Sequence, residues 1–212
     1  MGPRTTPPPF PQFEVNTLPY DQVYEPHVMT EECNWVQALE GDIDTTHLGF
    51  LHLGGAPAAS LEPGSFNYYT VSDCAPRFQV LDSEVGTMYD AYRPATEDTY
   101  YWRLAQFMFP FFTLIPTGAL GTQIIVRSWV PLDDTHTMFW TMVVPDSRHE
   151  GTGPRTDRRG QPVPGTTSGP RYAPATTDWL GRWRLQANEE NDYRIDREVQ
   201  RTASYTGTDG IH

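Results

Sequence analysis

The chain has 212 residues, of which 38% are hydrophobic and 13% aromatic, enough for one medium-sized domain with a real core. A net charge of -12 and an isoelectric point near 4.8 exclude the basic surface of nucleic-acid-binding proteins and a polybasic membrane anchor. No apolar run of about 18 residues could cross a membrane, and the N-terminus has no apolar secretion signal. We therefore expect a cytoplasmic protein that binds neither nucleic acid nor membrane.

The first thirty residues are rich in proline and polar residues, with the run TTPPPFPQF near the start. This composition favours an extended connector over a packed domain. We therefore interpret residues 1–30 as a linker and residues 31–212 as the main domain.

A helix is predicted for residues 33–52, because Trp35, Leu39 and Ile43 recur at a spacing of four residues. From residue 78 to 144, four segments rich in Val, Ile, Thr and aromatic residues predict an antiparallel sheet. They are FQVLDSEVGTMYDAYR, TYYWRLAQFMF, TQIIVRSWV and THTMFWTMVV. Together these patterns predict an α+β fold in which helices pack on one face of the sheet.

Two features follow from the rest of the chain. Residues 146–178 are rich in Gly, Pro and Arg and predict a long flexible loop, after which DWLGRWRLQANEENDYRIDREVQR predicts a short helix. The two cysteines, Cys33 and Cys74, have no ligand-spaced partner, so we expect reduced thiols rather than a zinc or iron–sulfur site.

Candidate metal ligands lie in the segment EGDIDTTHLGFLH of the predicted helix. Asp44 and His47 are three residues apart and share a helical face. His52 lies about 140° further round an ideal helix, so both imidazoles reach one metal only if the helix ends or distorts, which Gly49 makes inexpensive. Two histidines and a carboxylate, with open positions, are the ligand set of non-haem Fe(II) oxygenases. Chance spacing of the histidines and a solvated carboxylate at Asp44 are the alternatives.

The segment CNWVQALEGDIDTTHLGFLH resembles the iron-binding segment of Rieske non-haem iron oxygenases, in which N-W-x-Q-x-x-E-G precedes D-x-x-H-x4-H. The nearest branch looks like that of phthalate 4,5-dioxygenase and related ring-modifying oxygenases. The segments YYWRLAQFMFPF, WVPLDDTHTMFW and NDYRIDREVQRTASYTG also match, in the family's order. The resemblance therefore covers essentially the whole chain.

The resemblance implies that His47 and His52 bind a mononuclear Fe(II). It implies that Asp44 accepts hydrogen bonds from His47 and from a histidine of a neighbouring subunit's Rieske cluster, and so links the two metal centres. The sequence lacks the C-x-H and C-x-x-H of the [2Fe–2S] cluster. We expect that cluster in a preceding Rieske domain, and the family's third iron ligand, an Asp, beyond His212. Asp209 does not match the position of that ligand.

The implied fold is the helix-grip fold of the Rieske oxygenase catalytic domain, without its C-terminal helix. Residues 1–30 would be the linker from the Rieske domain, and residues 31–212 a partial iron domain. The complete enzyme would be a homotrimer, or a multiple of one, that takes electrons from a reductase. It would use O₂ to hydroxylate or O-demethylate an aromatic substrate, whereas the isolated chain would be inactive. An iron-free domain that binds a hydrophobic small molecule, or an inactive truncated product, remains open.

Other side chains are weaker candidates for contacts with a substrate or a metal. The apolar run Phe107–Leu114 predicts either a core strand or a wall of a pocket for an aromatic substrate. Arg103 fits a contact with a substrate carboxylate, a surface position or a core-capping position. His136 lies in the turn-like segment DDTHT and is interpreted as a surface residue, and His27 and His149 have no ligand-spaced partner.

Overall fold

The protein folds around one antiparallel sheet of seven strands. The structure is a computed structural model that describes residues 5–6, 9, 11–19, 26–53, 56–115, 124–144, 171–203 and 207. The strands are β1 His27–Glu31, β2 Arg77–Ser83, β3 Gly86–Thr96, β4 Thr99–Met108, β5 Phe112–Leu114, β6 Ile124–Pro131 and β7 Thr137–Val144. Their order across the sheet is β1-β7-β6-β5-β4-β3-β2, and every neighbouring pair is antiparallel.

Four short α-helices accompany this sheet among the described residues. They are α1 Glu14–Thr17, α2 Trp35–Ile43, α3 Phe66–Ser72 and α4 Arg197–Thr202. One π-helical turn, Leu48–His52, follows α2, and two 3-10 segments span Ala58–Ser60 and Glu189–Arg194. The α+β class is confirmed, and within the described residues none of the helices has the length and apolar character needed to span a bilayer.

The two faces of the sheet have separate cores, because side chains alternate in direction along a strand. On one face, Leu39 of α2 packs against Trp129 and Phe139. On the other face, Val15 of α1 packs against Phe112. Since α3 shares the face of α2, the predicted packing on one face describes these two helices, whereas α1 lies on the other face.

The start of the chain contributes to this packing. α1 and most of β1 fall within residues 1–30, and Val15 is 3% exposed. An extended linker therefore does not describe these two elements. β1 was missed because it has only five residues and its partner, β7, lies more than a hundred residues away.

The first predicted strand is in fact a hairpin of two strands. β2 pairs with β3 through a tight turn, and Ser83 lies opposite Gly86. A Cβ at Gly86 would lie 2.0 Å from the carbonyl oxygen of Phe107, so only glycine fits this turn. All residues of β2 are exposed, because this strand forms one end of the sheet.

The segment from residue 171 onward is attached to β1. Tyr172 forms a β-bridge with Leu185, and its hydroxyl donates to the carbonyl of Val28. The backbone N–H of Thr30 donates to the carbonyl of Trp183, with an N···O distance of 2.9 Å. The earlier part of the loop predicted at 146–178 lies outside the described residues. The predicted short helix near residue 200 is confirmed as α4.

Candidate metal centre

The regular helix α2 ends just before the two candidate histidines. The backbone N–H of Asp44 closes the last turn by donating to the carbonyl of Glu40, at 3.0 Å. The Asp44 carboxylate then accepts the backbone N–H groups of Thr46, at 2.7 Å, and His47, at 3.2 Å. Asp44 thus ends one helix and starts the next turn, as an N-cap residue does. Asp44 and His47 therefore meet through this turn, and not on one face of an unbroken helix as predicted.

The two imidazoles face each other across the π-helical turn. The Nε2 atoms of His47 and His52 lie 3.2 Å apart. Two nitrogens that bind one metal at right angles, each at about 2.1 Å, would be about 3.0 Å apart. The backbone N–H of Leu53 donates to the carbonyl of Leu48, five residues back, at 3.2 Å. Because π-helical bonding joins residues five apart, it supplies the distortion that the histidine spacing requires.

The carboxylate of Asp44 determines which nitrogen of His47 is available. Nδ1 of His47 lies 3.2 Å from Oδ2 of Asp44. A carboxylate only accepts hydrogen bonds, so Nδ1 carries the proton and the lone pair of Nε2 faces His52. Burial raises the pKa of Asp44, but hydrogen bonds from the backbone N–H groups of Thr46 and His47 and from the ring of His47 outweigh this effect. The net pKa is below the ordinary value, so Asp44 is ionised at neutral pH.

Gly49 lies where the π-helical turn touches α3. A Cβ at this position would lie 2.8 Å from Sγ of Cys74 and 2.9 Å from the carbonyl oxygen of Thr70. The glycine therefore permits close packing of two segments, in addition to the helix distortion expected from the sequence.

A cavity of about 310 Å³ adjoins the histidines. Two guanidinium groups, those of Arg103 and Arg127, lie on its wall. Arg103 is 7% exposed, and its guanidinium carbon lies 4.2 Å from the centre of the Phe66 ring. The other lining residues are Gly41, Asp42, Ile43, Asp44, Thr45, His47, Leu48, His52, Tyr89 and Ile115. The two candidate histidines, two arginines and apolar side chains thus meet in one cavity, as a ligand site requires.

Asp42 is a site residue that the sequence did not single out. Its side chain is 3% exposed and forms a salt bridge with Nη1 of Arg127. The same carboxylate accepts the hydroxyl of Thr113, at 2.6 Å, and the indole N–H of Trp129, at 3.2 Å. These contacts attach the end of α2 to β5 and β6. The sequence did contain an indication that Asp42 is buried, because Asp42 lies three residues after Leu39, on the buried face of the helix.

Tyr89 makes a second attachment at the end of α2. Its hydroxyl donates to the carbonyl of Ile43, the last residue of the helix. Burial, assisted by the charges of Asp44 and Asp42 and opposed by Arg103, raises the pKa of Tyr89 to about 12. The phenol is therefore protonated at neutral pH and available as a donor.

The other sequence candidates that the structure describes do not line this cavity. Cys33 and Cys74 are free thiols, and burial raises the pKa of Cys33. Nδ1 of His136 lies 2.9 Å from Oδ1 of Asp133, which fits a surface turn between β6 and β7. His27 is exposed at the start of β1. Two further candidates, His149 and Asp209, lie outside the described residues.

The donor set fits part of an iron site. His47 and His52 offer two nitrogens at a suitable spacing, and Asp44 orients the first ring. In the ranges that the structure describes, no three His, Cys, Asp or Glu side chains are arranged to hold a metal ion. The carboxylate of the two-histidine, one-carboxylate set is therefore not among these residues.

Comparisons with known proteins agree with the sequence resemblance. The chain is 40% identical, over 217 residues, to the oxygenase subunit of 3-chlorobenzoate-3,4-dioxygenase from Comamonas testosteroni. That alignment covers 100% of this chain and 49% of the relative. The chain is also 33% identical, over 197 residues, to the oxygenase subunit of phthalate 4,5-dioxygenase from Pseudomonas putida, which covers 84% of this chain and 39% of that protein. The chain thus spans about half the length of these curated relatives, or less.

A solved structure and a family complete the comparison. The terminal oxygenase of carbazole 1,9a-dioxygenase from Nocardioides aromaticivorans IC177 matches with a TM-score of 0.38 and 14% identity. The match covers 68% of this chain and 46% of that one. A family model described as LigXa C-terminal domain like matches residues 1–212. The chain belongs to this LigXa C-terminal domain-like family, and its curated relatives are oxygenase subunits.

Proposed function

We propose that this chain is the mononuclear-iron part of a Rieske-type oxygenase that hydroxylates or O-demethylates an aromatic substrate. The observation that carries the proposal is the 3.2 Å spacing of the Nε2 atoms of His47 and His52, with Asp44 on the far side of His47. When bound, iron supplies the activation of O₂, which protein side chains do not provide.

In the proposed site, the side chains of this chain bind the metal and orient its ligands. His47 and His52 offer ring nitrogens to the metal, and Asp44 accepts from Nδ1 of His47, so that Nε2 faces the metal side. A partner of this kind fixes the tautomer and direction of a ligand histidine. The remaining ligand is a carboxylate from outside the described residues, which we expect beyond His212.

Asp44 has a second proposed role in the transfer of electrons to the iron. Its side chain is 42% exposed, so one carboxylate contacts the iron ligand and still has a surface open to another group. We propose that a histidine of a neighbouring subunit's Rieske [2Fe–2S] cluster occupies that surface. The complete enzyme would be a homotrimer, or a multiple of one, supplied with electrons by a reductase. Residues 1–30 would lead from its Rieske domain, and residues 31–212 would belong to the iron domain.

The proposed substrate is an aromatic ring that carries a carboxylate. Arg103 brings a buried positive charge to the cavity that contains both histidines. Leu48 and Ile115 provide apolar surface for the ring. Two relatives are named after aromatic carboxylates, chlorobenzoate and phthalate, which supports this choice. An Arg guanidinium binds a carboxylate through two parallel hydrogen bonds and so orients the ring.

The test is iron binding and turnover in the complete oxygenase that contains this chain. His47→Gln and His52→Gln should each lose the mononuclear iron, while the cluster remains. His27→Gln is the matched control, because His27 is exposed on β1 and does not line the cavity. Equal iron content in all three variants would contradict the proposed ligands, and favour an iron-free domain that binds a hydrophobic molecule.

A second comparison tests the missing carboxylate. The 212-residue chain alone should bind Fe(II) at least 10–100-fold more weakly than the complete oxygenase. Metal affinity falls about 10–100-fold when a protein loses a group that only hydrogen-bonds a metal ligand, and the loss of a ligand should cost at least as much. It should also show no oxygen uptake with a reductase and benzoate. Tight iron binding by the short chain would show that a carboxylate within it, Asp209 first, completes the site.

A further inference from the structure

Thr45 differs from the other buried threonines in its hydrogen bonding. The buried threonines of the described ranges are Thr30, Thr45, Thr70, Thr113 and Thr137. Four of them donate from the hydroxyl to a carbonyl or carboxylate oxygen, at O···O distances between 2.6 and 3.2 Å. The hydroxyl of Thr45 has no hydrogen-bond partner among the described residues, although Thr45 is only 4% exposed. A buried hydroxyl without a partner costs free energy, so Thr45 needs a physical reason.

The local backbone explains why the hydroxyl of Thr45 has no partner close by in the sequence. Inside a helix, a threonine hydroxyl can donate to the carbonyl oxygen four residues back. Helix α2 ends at Ile43 and the backbone of Asp44 is extended, so this bond is not open to Thr45. The carboxylate of Asp44 also accepts the backbone N–H groups of Thr46 and His47. These two bonds hold the turn around Thr45 in place.

Thr45 lies on the wall of the cavity that contains His47 and His52. Its hydroxyl has no bond to break with the part of the chain that the structure describes. Rotation about the Cα–Cβ bond can therefore exchange the hydroxyl with the methyl group and turn it toward a molecule in the cavity. A valine would fill nearly the same volume without the cost of a buried hydroxyl. Packing alone therefore does not account for a threonine at this position.

We propose that Thr45 is a substrate-binding residue, whose hydroxyl donates a hydrogen bond to a carboxylate oxygen of the aromatic substrate. This inference rests on the proposed function, in which an aromatic carboxylate occupies the same cavity. A carboxylate can accept about four hydrogen bonds, of which a bidentate guanidinium supplies two, so positions remain for a hydroxyl. The added bond fixes the direction of the carboxylate and therefore the orientation of the ring beside the two histidines.

The first test is equilibrium binding of benzoate to the full 212-residue chain, measured by titration calorimetry at pH 7.5, where benzoate is ionised. Thr45→Val keeps the shape and removes the hydroxyl, so it should bind benzoate about tenfold more weakly, which is the scale of one hydrogen bond to a charged group. Thr45→Ser keeps the hydroxyl and should retain most of the affinity. Thr137→Val is the matched control, because Thr137 is buried but does not line the cavity, and its affinity should be unchanged.

The second test is urea unfolding of the same variants without benzoate. Thr45→Val should raise the midpoint by about 0.5 M, because the cost of the buried hydroxyl is removed. Thr137→Val should lower the midpoint, because the carbonyl oxygen of Cys33 loses a donor that lies 2.8 Å away. A hydroxyl with a purely structural role would lower the midpoint in both variants, so the opposite signs separate binding from packing.

The outcomes distinguish this inference from the proposed function. Equal affinity of the unchanged chain and Thr45→Val for benzoate overturns the inference and leaves the proposed carboxylate site standing. An equal loss of affinity in Thr45→Ser overturns it as well, since the shape and not the hydroxyl would then matter. A lower urea midpoint for Thr45→Val shows that the hydroxyl already has a partner, and also overturns it. If the unchanged chain does not bind benzoate, the carboxylate site and the inference both fail.

Discussion

Replacing Gly49 by alanine tests the packing that places the two histidines. An added methyl in a helical segment ordinarily stabilises a protein by about 0.5–1 kcal/mol, through backbone entropy. At Gly49 the methyl would lie 2.8 Å from Sγ of Cys74 and 2.9 Å from the carbonyl oxygen of Thr70. Ordinary contacts begin near 3.5 Å, so the π-helical turn and α3 must separate by roughly 0.6 Å. Thr70 is fully buried and the contact is with its backbone carbonyl, so this carbonyl cannot move away unless α3 moves with it.

Overpacking of this kind costs about 1–3 kcal/mol, so Gly49→Ala should lower the free energy of unfolding by about 1–2 kcal/mol in net terms. Gly41→Ala is the control, because a Cβ there meets nothing within 4 Å and should be neutral or stabilising. Urea denaturation of both variants measures the difference, and an unchanged dependence of the unfolding free energy on urea concentration shows that the substitution changed stability and not the compactness of the denatured state. Fe(II) titration should show weaker binding for Gly49→Ala alone, since the turn carries both histidines. Equal stability of the two variants would refute this account of Gly49.

In the complete oxygenase, Asp44→Asn should retain the iron but slow its reduction by about 10–100-fold, because the orienting charge is lost. Asp133→Asn, which alters another Asp–His pair outside the cavity, should leave the rate unchanged, and an unaltered rate in Asp44→Asn would argue against the bridge. Tyr89→Phe should cost about 1 kcal/mol below pH 10, by removing the hydrogen bond to Ile43. The phenol of Tyr89 ionises near pH 10 when unfolded and near 12 when folded, so the wild type should lose stability as pH rises from about 10 to about 12. Thermal melts at several pH values measure this loss, and its persistence in Tyr89→Phe would assign it to another group.

The sequence was most informative where the chemistry is local. Asp44, His47 and His52 lie within nine residues, so their spacing predicted that the two imidazoles meet only if the helix ends or distorts between them. The type of distortion was not predictable, because the π-helical turn also depends on the approach of α3 to Gly49. Likewise, the fold class followed from strand patterns that each occupy about ten residues.

The sequence was less informative where partners are distant. The three donors that hold Asp42 come from residues 71 to 87 positions away, and no local pattern connects them. β1 was hidden for the same reason, because its five residues become a strand only by pairing with β7. In both cases the burial that gives the residue its role arises only when the sheet has formed.

The exposed strand β2 affects how the protein behaves in concentrated solution. Its outer backbone N–H and C=O groups have no strand neighbour among the described residues, and Phe78, Val80 and Leu81 are about half exposed or more. Such an edge is a template for strand pairing between molecules, and Arg77 and Asp82 are its only charged residues. The net charge of -12 keeps molecules apart, but salt screens this repulsion, and acidification toward pH 4.8 removes it. Solubility should therefore be greatest at low ionic strength and at a pH well above 5, and self-association should begin at β2.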